Sequence, residues 1–140
     1  MHNSCDDAKV RADAYGSMKH DDNVKGQVHY LSQDAAFRDV IPGNDGLCIE
    51  LDGNAFADRG SSHYNAHNSL EQFWDKYRPN GECYRTTPTI AEYNRAYSSL
   101  LDAGLSKSNV AFSVRMAYSQ QRQFNLSNKD LVPRIPGRIN

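Results

Sequence analysis

Residues Gly60–Tyr77, GSSHYNAHNSLEQFWDKY, hold two of the chain's five histidines and its only tryptophan. A polar Gly60-Ser61-Ser62 lead-in runs straight into an amphipathic segment. Leu70, Phe73, Trp74 and Tyr77 recur at i, i+3, i+4 and i+7, the apolar stripe of a helix packed on a core. Two starts for that helix compete. Asn68 with Glu71 three positions on makes a capping box, whereas Ser62 as N-cap gives a longer helix beginning at His63. Arg78-Pro79-Asn80-Gly81 ends the helix in either case.

The two starts imply different geometries. In the longer helix His63, His67 and Glu71 recur every four residues and project over one edge. Imidazoles so spaced can share a transition metal, or one can hold the ion while the other takes a proton. In the shorter helix His63 lies in the lead-in and His67 at the helix mouth, where exposed N–H groups favour a phosphate. Both suit hydrolysis of a phosphodiester, in which a neutral imidazole activates water and a divalent cation offsets charge on the phosphate. Directly upstream, Asp58 is a candidate further ligand and Arg59 a candidate phosphate clamp. The plain alternative is that an HxxxH pair arises by chance on many helices, with Glu71 a cap and Phe73 and Trp74 core.

Upstream of this stretch the chain reads as a small β part over residues 27–58. Val28–Leu31 has the composition of a short strand, and Asp34–Val40 that of a helical turn or a second strand. A turn cluster at Ile41–Gly46 precedes Leu47–Leu51, a buried strand, and Asp52-Gly53-Asn54 turns the chain towards a return strand at Ala55–Ala57. Residues 1–26 are polar and acidic. One helix could form around Ala8–Met18, but loose structure or a linker is expected there, which leaves 27–140 as a single domain.

Downstream, Thr89-Ile90-Ala91-Glu92 is a second capping box. It opens a helix to about Ala103, with Tyr93, Ala96, Tyr97, Leu100 and Leu101 inward and Gly104 as its stop. Ser106 or Ser108 starts a third helix to about Phe124, whose core face is expected at Val110, Val114, Ala117 and Tyr118. The prolines at 133 and 136 keep the following tail extended. The expected fold is therefore α+β, a small irregular β-hairpin region followed by three helices.

At 140 residues, with a mean hydropathy of −0.75, the chain is long enough for one core. It holds no apolar run near the roughly 18–20 residues that span a bilayer. Its N-terminus lacks a signal-peptide profile, so export is expected to depend on a carrier. Cys5, Cys48 and Cys83 are widely spaced without a CxxC, which suggests neither a zinc knuckle nor a redox pair; reduced thiols are expected, with one disulfide as the alternative. The net charge of −1 conceals a gradient: residues 104–140 carry six basic side chains against Asp130 alone, a net of +5. That asymmetry hints at a polyanionic partner. Arg59, Arg115, Arg122, Arg134 and Arg138 are the candidates to fork onto phosphates without reading bases, and Arg115 and Arg122, seven apart, can share one helix face.

The run GSSHYNAHNSLEQFWDKYR, the later TPTIAEYNRAYSSLLDAG, a QR pair and the terminal VPRIPGRIN together resemble the SHH-type toxin domain. That domain is found at the C-terminal ends of Rhs and related bacterial polymorphic toxins, and the resemblance covers roughly residues 45–140. It implies an HNH/endonuclease VII-like nuclease with a ββα-metal core. It also implies a divalent ion (magnesium, zinc or manganese) and DNA, or alternatively RNA, as substrate. Delivery into the cytoplasm of a target cell by a parent Rhs chain, and neutralisation by a cognate immunity protein, are implied as well. Ser62, His63 and His67 match the signature, which makes His63 the general base and His67 a metal ligand; Asn68 is the nearest candidate for the asparagine of an HNH set. Other toxin chemistries stay open: a metal-independent RNase, or an ADP-ribosyltransferase that binds NAD through His63 or His29, a tyrosine such as Tyr64, and Glu71. A non-catalytic binding module with structural histidines is the reading from a different class.

Overall fold

The computed structural model describes residues 10–24, 26–51, 70–102 and 105–137. Among them the fold is α+β, with one three-stranded antiparallel sheet and five helices. In chain order these are β1 (Ala12–Ala14), α1 (Tyr15–Met18), β2 (Gln27–Tyr30), α2 (Asp34–Phe37) and β3 (Leu47–Leu51). A helical segment over 70–75, α3, comes next, followed by α4 (Ile90–Leu101) and α5 (Lys107–Gln123).

The strand richest in apolar residues is the last of the three and sits at the centre, in the order β1-β3-β2. Cys48 and Ile49 are successive residues on opposite faces of β3, and both are fully buried. That is why Leu47-Cys48-Ile49 reads as a continuous apolar run rather than an alternation, with Glu50 the half-buried exception in the strand. Val28 pairs with Glu50 and Tyr30 with Cys48 on one side, Ala12 with Ile49 and Ala14 with Leu47 on the other. Burial of the Cys48 thiol pushes it up to about 12. Residues 12–18, expected to be loose, are instead an edge strand and a helical turn whose Met18 is buried. Ala-Asp-Ala has little strand propensity of its own; its order comes from pairing with β3. The expected return strand at Ala55–Ala57 lies outside the described residues.

An aromatic stack joins the sheet side to the helices. Trp74 of α3 stacks on Tyr93 of α4 with ring centroids 5.8 Å apart, and Phe37 of α2 meets Tyr93 edge-on at 5.1 Å. The tryptophan and tyrosine rings each bring a polar tip to a partner, as burial of these side chains demands. Trp74 Nε1 donates to Gln33 Oε1 at 2.6 Å, the Tyr93 hydroxyl donates to the Leu31 carbonyl at 3.0 Å, and the Tyr97 hydroxyl donates to the Tyr30 carbonyl at 2.7 Å. Burial raises the phenol pKa of Tyr93 and Tyr97. The Thr89–Glu92 capping box forms as the sequence predicts. Helix α3 ends in a turn where Asn80 takes a positive φ of 71°, and a side chain at Gly81 would collide with the carbonyls of Asp75 and Lys76.

Segment 131–137 folds back across the helices. Leu131 bridges Thr89, the Val132 amide donates to the Pro88 carbonyl at 3.0 Å, and the Arg134 amide donates to the Ala36 carbonyl at 3.1 Å. The buried Arg78 guanidinium closes this strap. Its Nε donates to the Pro136 carbonyl at 2.9 Å and its Nη2 to the Gly137 carbonyl at 3.1 Å. The same group grips Glu71 through both Nη atoms and Asp75 through Nη1. No helix of the described residues is long and apolar enough to cross a membrane.

Candidate nucleic-acid interface

Helix α5 carries the described part of the candidate site, and its inner face decides what its outer face presents. Ser106 is the N-cap, its side chain accepting from the Asn109 amide. Inward, α5 buries Asn109, Val110, Ser113, Ala117, Gln120 and Gln121, more polar than the stripe the sequence suggests. Gln120 accepts from the Leu47 amide at 2.9 Å and donates to the Asp45 carbonyl at 2.7 Å, which ties the helix to the start of β3. Gln121 exchanges two hydrogen bonds with Asn94 of α4, at 2.8 and 3.0 Å, and donates to Ser32 Oγ at 2.9 Å. Each of these amides would cost about 1–3 kcal/mol if buried without a partner. They therefore fix the rotation of α5 about its own axis.

With that rotation set, Arg115, Tyr118, Ser119, Arg122 and Gln123 fall on the opposite side at helical spacing. Together with Asn128 they line an open groove of about 690 Å³. The far wall is built by a reversal of the chain. Asn125 takes a φ of 65°, its amide donating to the Arg122 carbonyl and the Leu126 amide to the Gln121 carbonyl, a Schellman stop with asparagine in the left-handed position. The Asn128 and Asp130 carbonyls then accept from the Ala91 and Ile90 amides, which docks this loop on the first turn of α4. No carboxylate lines the groove among the described residues. Arg115 and Arg122 form no ion pair there.

The other expected site residues fall into two sets. Asp58, Arg59, Ser62, His63, His67 and Arg138, with Asn68 and Tyr64, lie outside the described residues. Glu71 is bound bidentately by Arg78 at 3.1 and 3.3 Å, so its carboxylate helps anchor the strap. Arg134 forks onto Asp39 at 2.8 and 3.1 Å, away from Arg115 and Arg122 in its bonding. His29 is buried and stacks on Tyr97 with centroids 5.6 Å apart. It borders a smaller cavity of about 290 Å³ with Asp34 and Arg38, which are ion-paired at 2.7 Å. Among the described residues no group of three or more His, Cys, Asp or Glu could hold a metal ion.

The structure therefore brings together two of the five expected phosphate-binding arginines, and adds Tyr118, which the sequence reading places in the core. The spacing of Arg115, Tyr118 and Arg122 carries that signal, masked by the amphipathic chemistry of tyrosine and by the burial of two glutamines on the opposite face. No protein-family model matches the chain, and no curated protein or solved structure is significantly similar to it.

Proposed function

We propose that the chain is a metal-dependent endonuclease domain of the HNH type, a polymorphic toxin module that cuts DNA in the cytoplasm of a target cell. The observation that carries the reading is the basic groove on α5: two guanidiniums with no carboxylate among the described lining residues, in the C-terminal quarter of the chain that nets +5. Such a groove binds a phosphate backbone without reading sequence. The toxin-like run through His63 and His67 supports the reaction itself. In this reading His63 takes the proton of the attacking water, Arg59 and Ser62 steady the phosphate, and Glu71 holds the helix in place through Arg78. A divalent ion held by His67 and Asp58 would supply the charge that stabilises the phosphate and the leaving oxygen. An imidazole with a carboxylate is a donor pair accepted by zinc and manganese, and by magnesium when waters complete the shell. A larger Rhs-type chain delivers the domain, and an immunity protein silences it in the producing cell.

The test is nicking of supercoiled plasmid by the purified chain with manganese or magnesium, with EDTA, and with His63→Ala. Metal-dependent nicking lost in the variant is the expected result. Intact plasmid under all conditions would overturn the proposal, and consumption of NAD without nicking would replace it with a transferase.

A further inference from the structure

We infer that the α5 groove takes an unpaired nucleotide, its base stacked on Tyr118 and its flanking phosphates held by Arg115 and Arg122. This rests on the nucleic-acid reading above and narrows it to single-stranded substrate at this site. Arg115 and Arg122 are two turns apart on one helix, roughly 10 Å along the axis. Tyr118 lies between them, three residues after the first and four before the second. All three line the same concavity. Two cations alone would suit any polyanion, single or double stranded. The half-buried phenol ring between them is what discriminates. A duplex keeps the faces of its bases stacked on one another, whereas an unpaired nucleotide can give a face to the ring while its backbone reaches both guanidiniums.

The remaining walls agree with that occupant. Ser119, Gln123 and Asn128 offer both donors and acceptors, so they can meet the edge of any base without selecting one. A volume of about 690 Å³ has room for a nucleotide and its flanking phosphates. The walls are rigid for reasons already given: Gln120 and Gln121 lock the helix, and the Asn125 reversal docks the Asn128 loop on α4. A preformed site loses less entropy when the ligand arrives.

The experiment is fluorescence anisotropy of the full chain with a labelled oligothymidylate and with a labelled hairpin duplex, in EDTA so that cleavage does not interfere. The single strand is expected to bind more tightly. Tyr118→Leu, which keeps an apolar side chain but removes the ring, is expected to weaken the single strand roughly 10-fold and leave the duplex unchanged. Arg115→Ala and Arg122→Ala should weaken both. As a check that needs no variant, ultraviolet crosslinking of a 5-bromouracil-substituted strand to the unaltered chain should map to Tyr118. Equal affinity for the two ligands, indifference to Tyr118→Leu, or crosslinks confined to other segments would each overturn the inference. The outcome is separate from the plasmid assay: nicking with a Tyr118-independent groove defeats only the stacking site, and Tyr118-dependent binding without nicking defeats only the nuclease.

Discussion

The interior of this protein and the outer face of α5 use polar side chains in opposite ways. Inside, the guanidinium and the side-chain amides are committed, and the Ser113 hydroxyl is the exception, buried without a hydrogen-bond partner among the described residues. Arg78 makes five hydrogen bonds to four partners, and Gln121 joins α4, α5 and the segment after β2. Outside, Arg115 and Arg122 have no ionic partner among the described residues. A buried cation must be satisfied by the protein, since water is excluded. An exposed one with no assigned partner keeps its bonding capacity for something that arrives later. The same side-chain chemistry thus serves as a fastener in one region and, in the function proposed above, as a receptor in the other.

The strongest challenge to that contrast is alkaline pH. In the unfolded chain the Cys48 thiol ionises near 9.0, but in the fold it is held up to about 12. Tyr30, Tyr93 and Tyr97 are likewise raised above 10.0 by burial. For groups raised on folding, stability is fully present below the unfolded pKa and is lost as pH climbs towards the folded one. Thermal melts should therefore be flat to about pH 9 and fall steeply by about pH 12, with the share of tyrosinate absorbance that belongs to Tyr30, Tyr93 and Tyr97 appearing only as the fold is lost. Ionisation of all eight tyrosines with an unchanged melting temperature would show that Tyr93 and Tyr97 are open to solvent.

Next in size is Arg78→Met, which leaves Glu71 and two tail carbonyls without their shared donor. A loss of about 3–5 kcal/mol in urea unfolding is expected, and a loss below about 1 kcal/mol would mean that the strap is dispensable. Gln121→Leu should cost about 1–3 kcal/mol, because Asn94 and Ser32 lose their partner. Smallest in stability, and sharpest for the comparison, are Arg115→Ala and Arg122→Ala. Each is expected within about 0.5 kcal/mol of the parent, while the salt dependence of nucleic-acid binding falls by roughly 0.7 per contact removed. A large stability loss in either variant would place these arginines among the fasteners.

Much of this fold is legible locally. The Thr89–Glu92 capping box, the LCIEL strand and the core placement of Trp74 all follow from residues within a few positions of one another. Strand β1 was not legible, because Ala12–Ala14 borrows its order from a strand more than thirty residues later. Arg78 gave no signal either, since its tail partners are main-chain carbonyls at 136 and 137, identical in every residue type. The groove was half legible. The Arg115–Arg122 spacing pointed to one face, but the phase of α5 is set by Gln120 and Gln121, whose burial depends on partners in β3 and α4. Of the proposed catalytic group, Glu71 is the member whose surroundings are described, and its partner, Arg78, lies seven residues on.

The strap of residues 131–137 has a kinetic meaning as well. Its contacts reach back to Ala36, Pro88 and Arg78, so nearly a hundred residues intervene between the amide at 134 and its acceptor at 36. Closing so long a loop is entropically costly and is repaid only once the sheet and helices are already assembled. The strap should therefore zip last during refolding, and the rate-limiting barrier should be insensitive to Arg78, whose loss would act almost wholly by hastening unfolding.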